Sequence, residues 1–247
     1  MNSRNEQARH FYNVAGTIST DFSFMNYGYA PLSAELSGSS EPEKYCLQLY
    51  RQLIGSTPLE GKRVVEVSCG RGGGAAHVAT TFKPADYVGI DISENNLALA
   101  SKRFPGVTNL RFQQGNAEAL PLEANSVDVV LNVEASHLYD SPPKFFSEVH
   151  RVLVPGGRFL HVDLHWQDKD PPAMIAAAGF KVDDVVDITH NVALALELDS
   201  VRREAIVMTF PENMRNDFRD WSGVKDFRAY NRLKNGEWLY RITRSTR

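Results

Sequence analysis

The stretch Arg63-Val64-Val65-Glu66-Val67-Ser68-Cys69-Gly70-Arg71-Gly72-Gly73-Gly74 decides the fold. Val64, Val65 and Val67 form a β-branched apolar run without helical spacing, the pattern of a short strand buried on both faces. Four glycines within five residues then stop it, and Ala75 to Thr81 opens a helix. A strand, a glycine turn and a helix start bring backbone close to a ligand, because glycine has no Cβ to hold it away. Glu66 is a carboxylate inside an otherwise apolar strand. A buried acid needs partners, and a ligand with hydroxyls or an ammonium group would supply them.

Outward from this stretch, strands and helices alternate. Strands are expected near 63–68, 86–91, 110–113, 127–132 and 157–164, and helices near 74–82, 94–103, 117–119 and 142–153. Pro155-Gly156-Gly157 reads as the turn before the fifth strand. A helix from Ala173 to Ala178, a strand from Phe180 to Ile188, a helix from His190 to Val207 and a last strand from Glu237 to Thr243 complete the series. The class is α/β, a doubly wound and mostly parallel seven-stranded sheet with right-handed crossovers and helices on both faces. Upstream, Phe11-Tyr12 and the aromatic-rich Phe22 to Tyr29 read either as a hydrophobic anchor or as a lid, and Glu43 to Ile54 as an amphipathic helix. The chain therefore divides into a lid or cap arm over 1–60 and a main domain over 61–247.

Composition narrows the function classes. Charged residues are 23% and hydrophobic residues 43% of 247, ordinary for a globular protein. A net charge of -3 gives no basic field for a nucleic acid, and Arg241 to Arg247 reads as a solvated tail. Cys46 and Cys69 form no disulfide framework or thiolate metal site. No apolar run approaches the ~20 residues that span a bilayer, and the polar N-terminus is not a signal peptide. A cytoplasmic protein without stable membrane insertion is expected, with a homodimer left open.

The glycine turn also fits the dinucleotide fingerprint G-x-G-x-x-G/A, so alone it leaves two nucleotide cofactors open. Other features separate them. Sixty-two residues precede the first strand, Glu66 lies inside it, and later segments follow in order. Val65-Glu66-Val67-Ser68-Cys69-Gly70, Val88-Gly89-Ile90-Asp91-Ile92-Ser93, Gln114-Gly115-Asn116-Ala117-Glu118-Ala119-Leu120-Pro121-Leu122, Ser126-Val127-Asp128-Val129-Val130 and Leu153-Val154-Pro155-Gly156-Gly157 together resemble a class I S-adenosylmethionine-dependent methyltransferase of small-molecule type. The resemblance implies a Rossmann-like methyltransferase fold, S-adenosyl-L-methionine as cofactor and no metal. It places Glu66, Ser68, Gly70, Gly72, Asp91, Ile92, Asn116, Ala117 and Asn132 around the cofactor, with Tyr12 and Tyr27 of the arm. Asp91, 21 residues past Gly70, stands where an acid grips ribose hydroxyls. Asn116 replaces the family's usual Asp, and its carbonyl oxygen still accepts a hydrogen bond from adenine. Asp91 also competes as a helix cap, although Ser93 is the better one. Asp128 reads as structural, Arg71 as solvent-facing or paired at the loop, and Cys69 as packing.

In an open parallel sheet, ligands lie beyond the carboxyl ends of the strands. The fourth strand runs on into Ser136-His137-Leu138, and the fifth contains His161-Val162-Asp163-Leu164-His165. His137 and Asp163 resemble the histidine–aspartate base pair of natural-product O-methyltransferases. Methyl transfer to a hydroxyl needs alignment and removal of one proton, and a histidine near neutral pKa suits the second task. His165 is a second candidate base; His161, His77, His150 and His190 read as structural or exposed. Asn132-Val133-Glu134-Ala135-Ser136-His137, with Asn26-Tyr27-Gly28-Tyr29, more narrowly resembles methyltransferases of phenolic glycolipid and polyketide assembly and their sterol-methylating relatives. That implies a lipophilic, hydroxyl-bearing acceptor from secondary metabolism or lipid synthesis. Its pocket is expected from the arm and from Trp166, Met174, Phe210, Met214, Phe218, Trp221, Phe227 and Tyr230. The rival expectations are a C-methyltransferase, a cofactor-retaining non-methylating protein and a nicotinamide-dependent oxidoreductase.

Overall fold

Strand β1 (Arg63–Val67) lies at the centre of the sheet, paired in parallel with β2 (Asp86–Asp91) and β4 (Val127–Val133). The computed structural model describes residues 3–18, 22–33 and 42–247; the parts of the expected 1–60 arm at 1–2, 19–21 and 34–41 lie outside the described residues. With β3 (Leu110–Gln114), β5 (Leu153–Trp166), β6 (Lys181–Asp187) and β7 (Trp238–Thr246), the order is β3-β2-β1-β4-β5-β7-β6. β7 alone runs antiparallel, hydrogen-bonded to both β5 and β6. The expected α/β class and seven-stranded, mostly parallel sheet are what the chain adopts.

The valines of β1 show why the sheet is buried on both faces. Val64 enters one apolar layer with Leu49, Leu53 and Val78, whereas Val65 and Val67 enter the other with Phe145, Phe146 and Val149. The first layer uses α2 (Lys44–Ile54) and α3 (Gly73–Phe82), and the second uses α5 (Pro142–Val152). Four buried residues of α5 (Phe145, Phe146, Val149, Val152) recur at helical spacing, each contributing about 1.5–3 kcal/mol by burial. Its start is set by Ser141, whose hydroxyl caps Lys144 N–H, and by Pro142 at the first turn. Ser93 likewise caps α4 (Glu94–Arg103), as expected.

Several local expectations are corrected. Residues 117–118 are a turn closed by a bridge between Asn116 and Ala119, because Asn116 Oδ1 accepts from Glu118 N–H at 2.9 Å and satisfies a backbone donor without a helix. Pro155-Gly156-Gly157 lies inside β5, where the register against β4 shifts between Val127 and Val129. Gly156 takes φ +77 there. The stretch from Arg241 is no solvated tail. It is the interior of β7, with Arg244 donating to Leu53 O at 2.9 Å and pairing with Asp184. The aromatic pair Phe11-Tyr12 belongs to a helix, α1 (Arg4–Ile18), which contacts α4. Further helices are α6 (Pro171–Ala177), α7 (Thr189–Val207), α8 (Arg215–Trp221) and α9 (Arg228–Lys234).

Candidate active site

The carboxyl ends of β1, β2, β4 and β5 and the segment 22–29 enclose two connected spaces. The first lies over the glycine turn and is lined by Tyr12, Ser68, Gly70, Asp91 and Ile92 among others. Asp91 locks the turn to β2: its Oδ2 accepts from Gly70 N–H at 2.8 Å and its Oδ1 from Ser93 N–H at 2.8 Å. Burial raises this carboxyl, and the Ser93 and Gly70 N–H groups offset part of the effect. Each oxygen keeps a lone pair for a ligand hydroxyl. Asn96, one turn into α4, is buried at the same wall with its Oδ1 lacking a hydrogen-bond partner. A carboxylate and an unsatisfied amide oxygen over a glycine turn fit a cofactor rich in hydroxyl and amino groups.

Other expected cofactor residues do not line this space. Glu66 is fully buried, but its partners are internal: it accepts from Tyr50 Oη at 2.6 Å and Tyr87 Oη at 2.8 Å. Burial outweighs both hydrogen bonds and pushes the Glu66 carboxyl up to about 7. Its link to the site is Tyr50, a lining residue whose ring lies where a Cβ on Gly74 would be. Gly72 gives room to Phe112 and Ala100 rather than to a ligand, which makes it a packing glycine. Asn116 is exposed with Oδ1 turned to Glu118 N–H, and Ala117 joins the core layer around α5. Asn132 is buried beneath the site, donating to Val67 O at 3.0 Å and Tyr139 Oη at 2.9 Å. Tyr27 faces the second space. Arg71, expected to face solvent or to be paired at the loop, is buried under the Phe22 ring at 3.8 Å from its centroid.

The second space consists of adjoining cavities of about 380 and 950 Å³, both lined by His137, Tyr27, Phe11 and Trp221. Trp166 and Met174 line the larger cavity as expected. Phe210, Phe218 and Tyr230 do not; they are core residues, with Met214 and Phe227 packed on the Phe210–Phe218 cluster. The β4–β5 register, with Val133 opposite Val162, brings the segment after β4 beside Asp163. His137 Nδ1 lies 2.7 Å from Asp163 Oδ1, and His137 N–H donates to Oδ2 at 3.0 Å. Ser136 Oγ (2.6 Å) and Leu164 N–H (2.8 Å) complete the shell around the buried carboxylate. Because Asp163 can only accept, Nδ1 carries the proton and Nε2 keeps its lone pair.

Burial works against charge at both members, yet their mutual attraction prevails. It holds Asp163 down at about 2 and raises His137 above the ordinary histidine value. His165 borders the larger cavity, but its Nδ1 is tied to Trp166 O at 2.9 Å. His161 is buried below the pair.

Sequence reasoning missed Glu134 in any role of its own. It lines both the first space and the smaller cavity of the second, at φ +51, outside the usual region for a non-glycine residue. Its Oε2 accepts from Tyr27 N–H at 2.7 Å and Tyr240 Oη at 2.5 Å. Burial pushes its carboxyl up to about 7 despite those bonds. Tyr139, also missed, joins Ser68 Oγ at 2.7 Å to Asn132 and lines the first space.

This arrangement agrees with what the chain resembles. A family model described as a methyltransferase domain matches residues 65–161. A fatty-acid O-methyltransferase of Mycolicibacterium smegmatis is 36% identical over 228 residues, covering 90% of this chain and 82% of that protein. A phthiotriol/phenolphthiotriol dimycocerosates methyltransferase of Mycobacterium leprae is 34% identical, covering 89% and 83%. Among solved structures, the [4+2]-cyclase SpnF superposes with a TM-score of 0.80 at 19% identity, over 98% of this chain and 96% of that one. That last likeness concerns the fold alone. With a cleft at the carboxyl ends of the parallel strands and such identity along most of its length, the chain belongs to the class I methyltransferases and is an enzyme that uses S-adenosyl-L-methionine.

Proposed function

We propose that the enzyme O-methylates a hydroxyl on a lipophilic small molecule, a lipid, polyketide or other natural product, with His137 as general base and Asp163 as its partner. The observation that carries this is the 2.7 Å contact between His137 Nδ1 and Asp163 Oδ1 at the wall of a cavity lined by Trp166, Trp221 and Phe11. Bound S-adenosylmethionine supplies an activated methyl group. Ser68, Gly70, Asp91, Ile92 and Tyr12 hold it over the glycine turn. His137 Nε2 accepts the proton of the acceptor hydroxyl, and Asp163 stabilises the imidazolium that results. The relatives named for fatty acids and phthiotriols support an apolar acceptor. Within the expected 1–60 arm, α1 and the segment 22–29 act as the lid, whereas α2 packs into the core layer of the main domain. No helix among the described residues is long and apolar enough to cross a membrane, and a cytoplasmic enzyme is the reading we adopt.

A second reading, C-methylation, is favoured by Glu134. A carboxylate between the two spaces, with Tyr12, Tyr27 and Trp221 around it, suits stabilisation of a cation formed on carbon. Labelled S-adenosylmethionine and a panel of long-chain alcohols, phenols and olefins separate the two. A labelled methyl ether supports the first reading; label on carbon, with no ether formed, refutes it.

A further inference from the structure

Beneath the His137–Asp163 pair runs a chain of buried polar groups that the methyl-transfer reading does not use. Ser136 Oγ lies 2.6 Å from Asp163 Oδ2 and 2.9 Å from His161 Nε2. All three side chains are buried. The direction of each hydrogen bond follows from proton counting. The Asp163 carboxylate only accepts, so Ser136 spends its single proton on it. Ser136 Oγ must then accept from His161, which fixes His161 as the Nε2–H tautomer. The cost is visible at the other ring nitrogen: His161 Nδ1 is buried without a partner. A phenylalanine would fill the same space, between Phe146 and Phe159 at 5.6 and 5.7 Å, without that penalty.

We propose that Ser136 and His161 are positioning residues, a chain His161→Ser136→Asp163 that fixes the orientation of the carboxylate and hence which nitrogen of His137 is free to act. Ser136 and the His137 N–H hold Oδ2, leaving Oδ1 for the His137 ring and Leu164 N–H. A carboxylate held at both oxygens does not rotate, and His137 keeps one tautomer. The role rests on His137 being the base, but the arrangement itself is testable without turnover.

The charged and titratable groups facing His137 are Asp163, His161 and His165 from β5 and Glu134 from the end of β4. Tyr12 and Arg4 of α1, Lys169 before α6, Asp217 and Asp220 of α8 and Arg228 of α9 border the same cavities, and Tyr240 of β7 reaches them through Glu134. Among the described residues, Ser136 and the backbone are the donors to Asp163 besides His137.

The test is NMR titration of the His137 ring in the full-length protein, its signals identified by their absence in His137→Gln. Ser136→Ala removes a donor that shares the Asp163 charge, so His137 feels more of that charge. Its midpoint is expected to rise by roughly half a unit or more, and kcat to fall roughly 10-fold at unchanged KM. Ser136→Thr, which keeps the hydroxyl, is expected to restore both. An unchanged His137 midpoint in Ser136→Ala overturns the proposal, as does a Thr variant as impaired as the Ala one. Full activity in His137→Ala would instead remove the base reading while the titration still decides the relay. His161→Phe leaves the Ser136 donor on Asp163 in place and is expected to move the His137 midpoint in the same direction but by less than Ser136→Ala; a larger shift than that of Ser136→Ala would overturn the order of the chain.

Discussion

His137 and Asp163, 26 positions apart, are joined twice, by the ring Nδ1 at 2.7 Å and by the backbone N–H at 3.0 Å. The double attachment makes the turn after β4 and the interior of β5 one unit. Substituting His137 by Ala is expected to lower kcat by about 10²–10⁴-fold. Binding of S-adenosylhomocysteine should be unchanged, since the ring borders the second space and not the one over the glycine turn. Steady-state kinetics with calorimetry checks both halves of this statement.

The same pair sets a pH dependence. Burial lowers the His137 pKa, but the Asp163 charge raises it more, so the net shift is upward. A base must be neutral to accept a proton, so the acidic limb of kcat/KM is expected above the ordinary histidine range. Asp163→Asn removes the charge, and that limb should move to lower pH while the plateau falls. A limb that stayed in place would show that another group controls it.

How much of this was legible depended on whether a feature was local. The valines of β1 and the glycines after it announced strand, turn and helix because their spacing is the structure. His137 and Asp163 were legible through the sheet topology, which makes the ends of β4 and β5 neighbours, and through resemblance, since nothing within a few residues of either shows the pairing. Glu66 was misread because its partners, Tyr50 and Tyr87, are 16 and 21 positions away. Gly70 and Gly72 look alike in sequence, yet one gives room to Met25 and the other to Phe112. Glu134 stayed hidden because Tyr240, 106 positions on, creates its environment.

Glu66 carries a stability prediction. Its folded carboxyl, at about 7, lies above the ordinary 4.5. The contribution is therefore fully present below about pH 4.5 and is lost as pH rises through 7. Glu66→Gln keeps the shape and removes the titration. Relative to the variant, the wild type should lose up to about 3 kcal/mol between pH 4.5 and 8. Urea unfolding at several pH values measures it, and parallel curves would disprove the assignment.

Gly74 tests the packing over the turn. An added Cβ would overlap the Tyr50 ring, so Gly74→Ala is expected to cost about 1–3 kcal/mol and to weaken cofactor binding through Tyr50. Gly106, with nothing within 4 Å of an added Cβ, is the control, and its Ala variant should change stability by less than about 0.5 kcal/mol. Thermal melts of the two variants, read together, separate a local clash from a general glycine effect.

The final prediction concerns the arm. The space over the glycine turn measures only about 80 Å³, against about 300–1,000 Å³ for typical ligand sites. The shortfall has a visible cause: Met25 Cε lies where a Cβ on Gly70 would be. Either side of Met25 the arm is fastened. Glu43 accepts from Ser23 N–H at 3.0 Å and Phe24 N–H at 3.2 Å, and Arg203 donates to Asn26 O and Tyr27 O at 3.1 and 3.0 Å. Cofactor entry therefore requires displacement of Met25 between two anchored points, a barrier that shortening its side chain lowers. Met25→Ala is expected to raise the association rate of S-adenosylhomocysteine roughly 5-fold, equivalent to about 1 kcal/mol of barrier. Stopped-flow binding reads the rate directly, and an association rate equal to the wild type's would mean that Met25 does not gate the site.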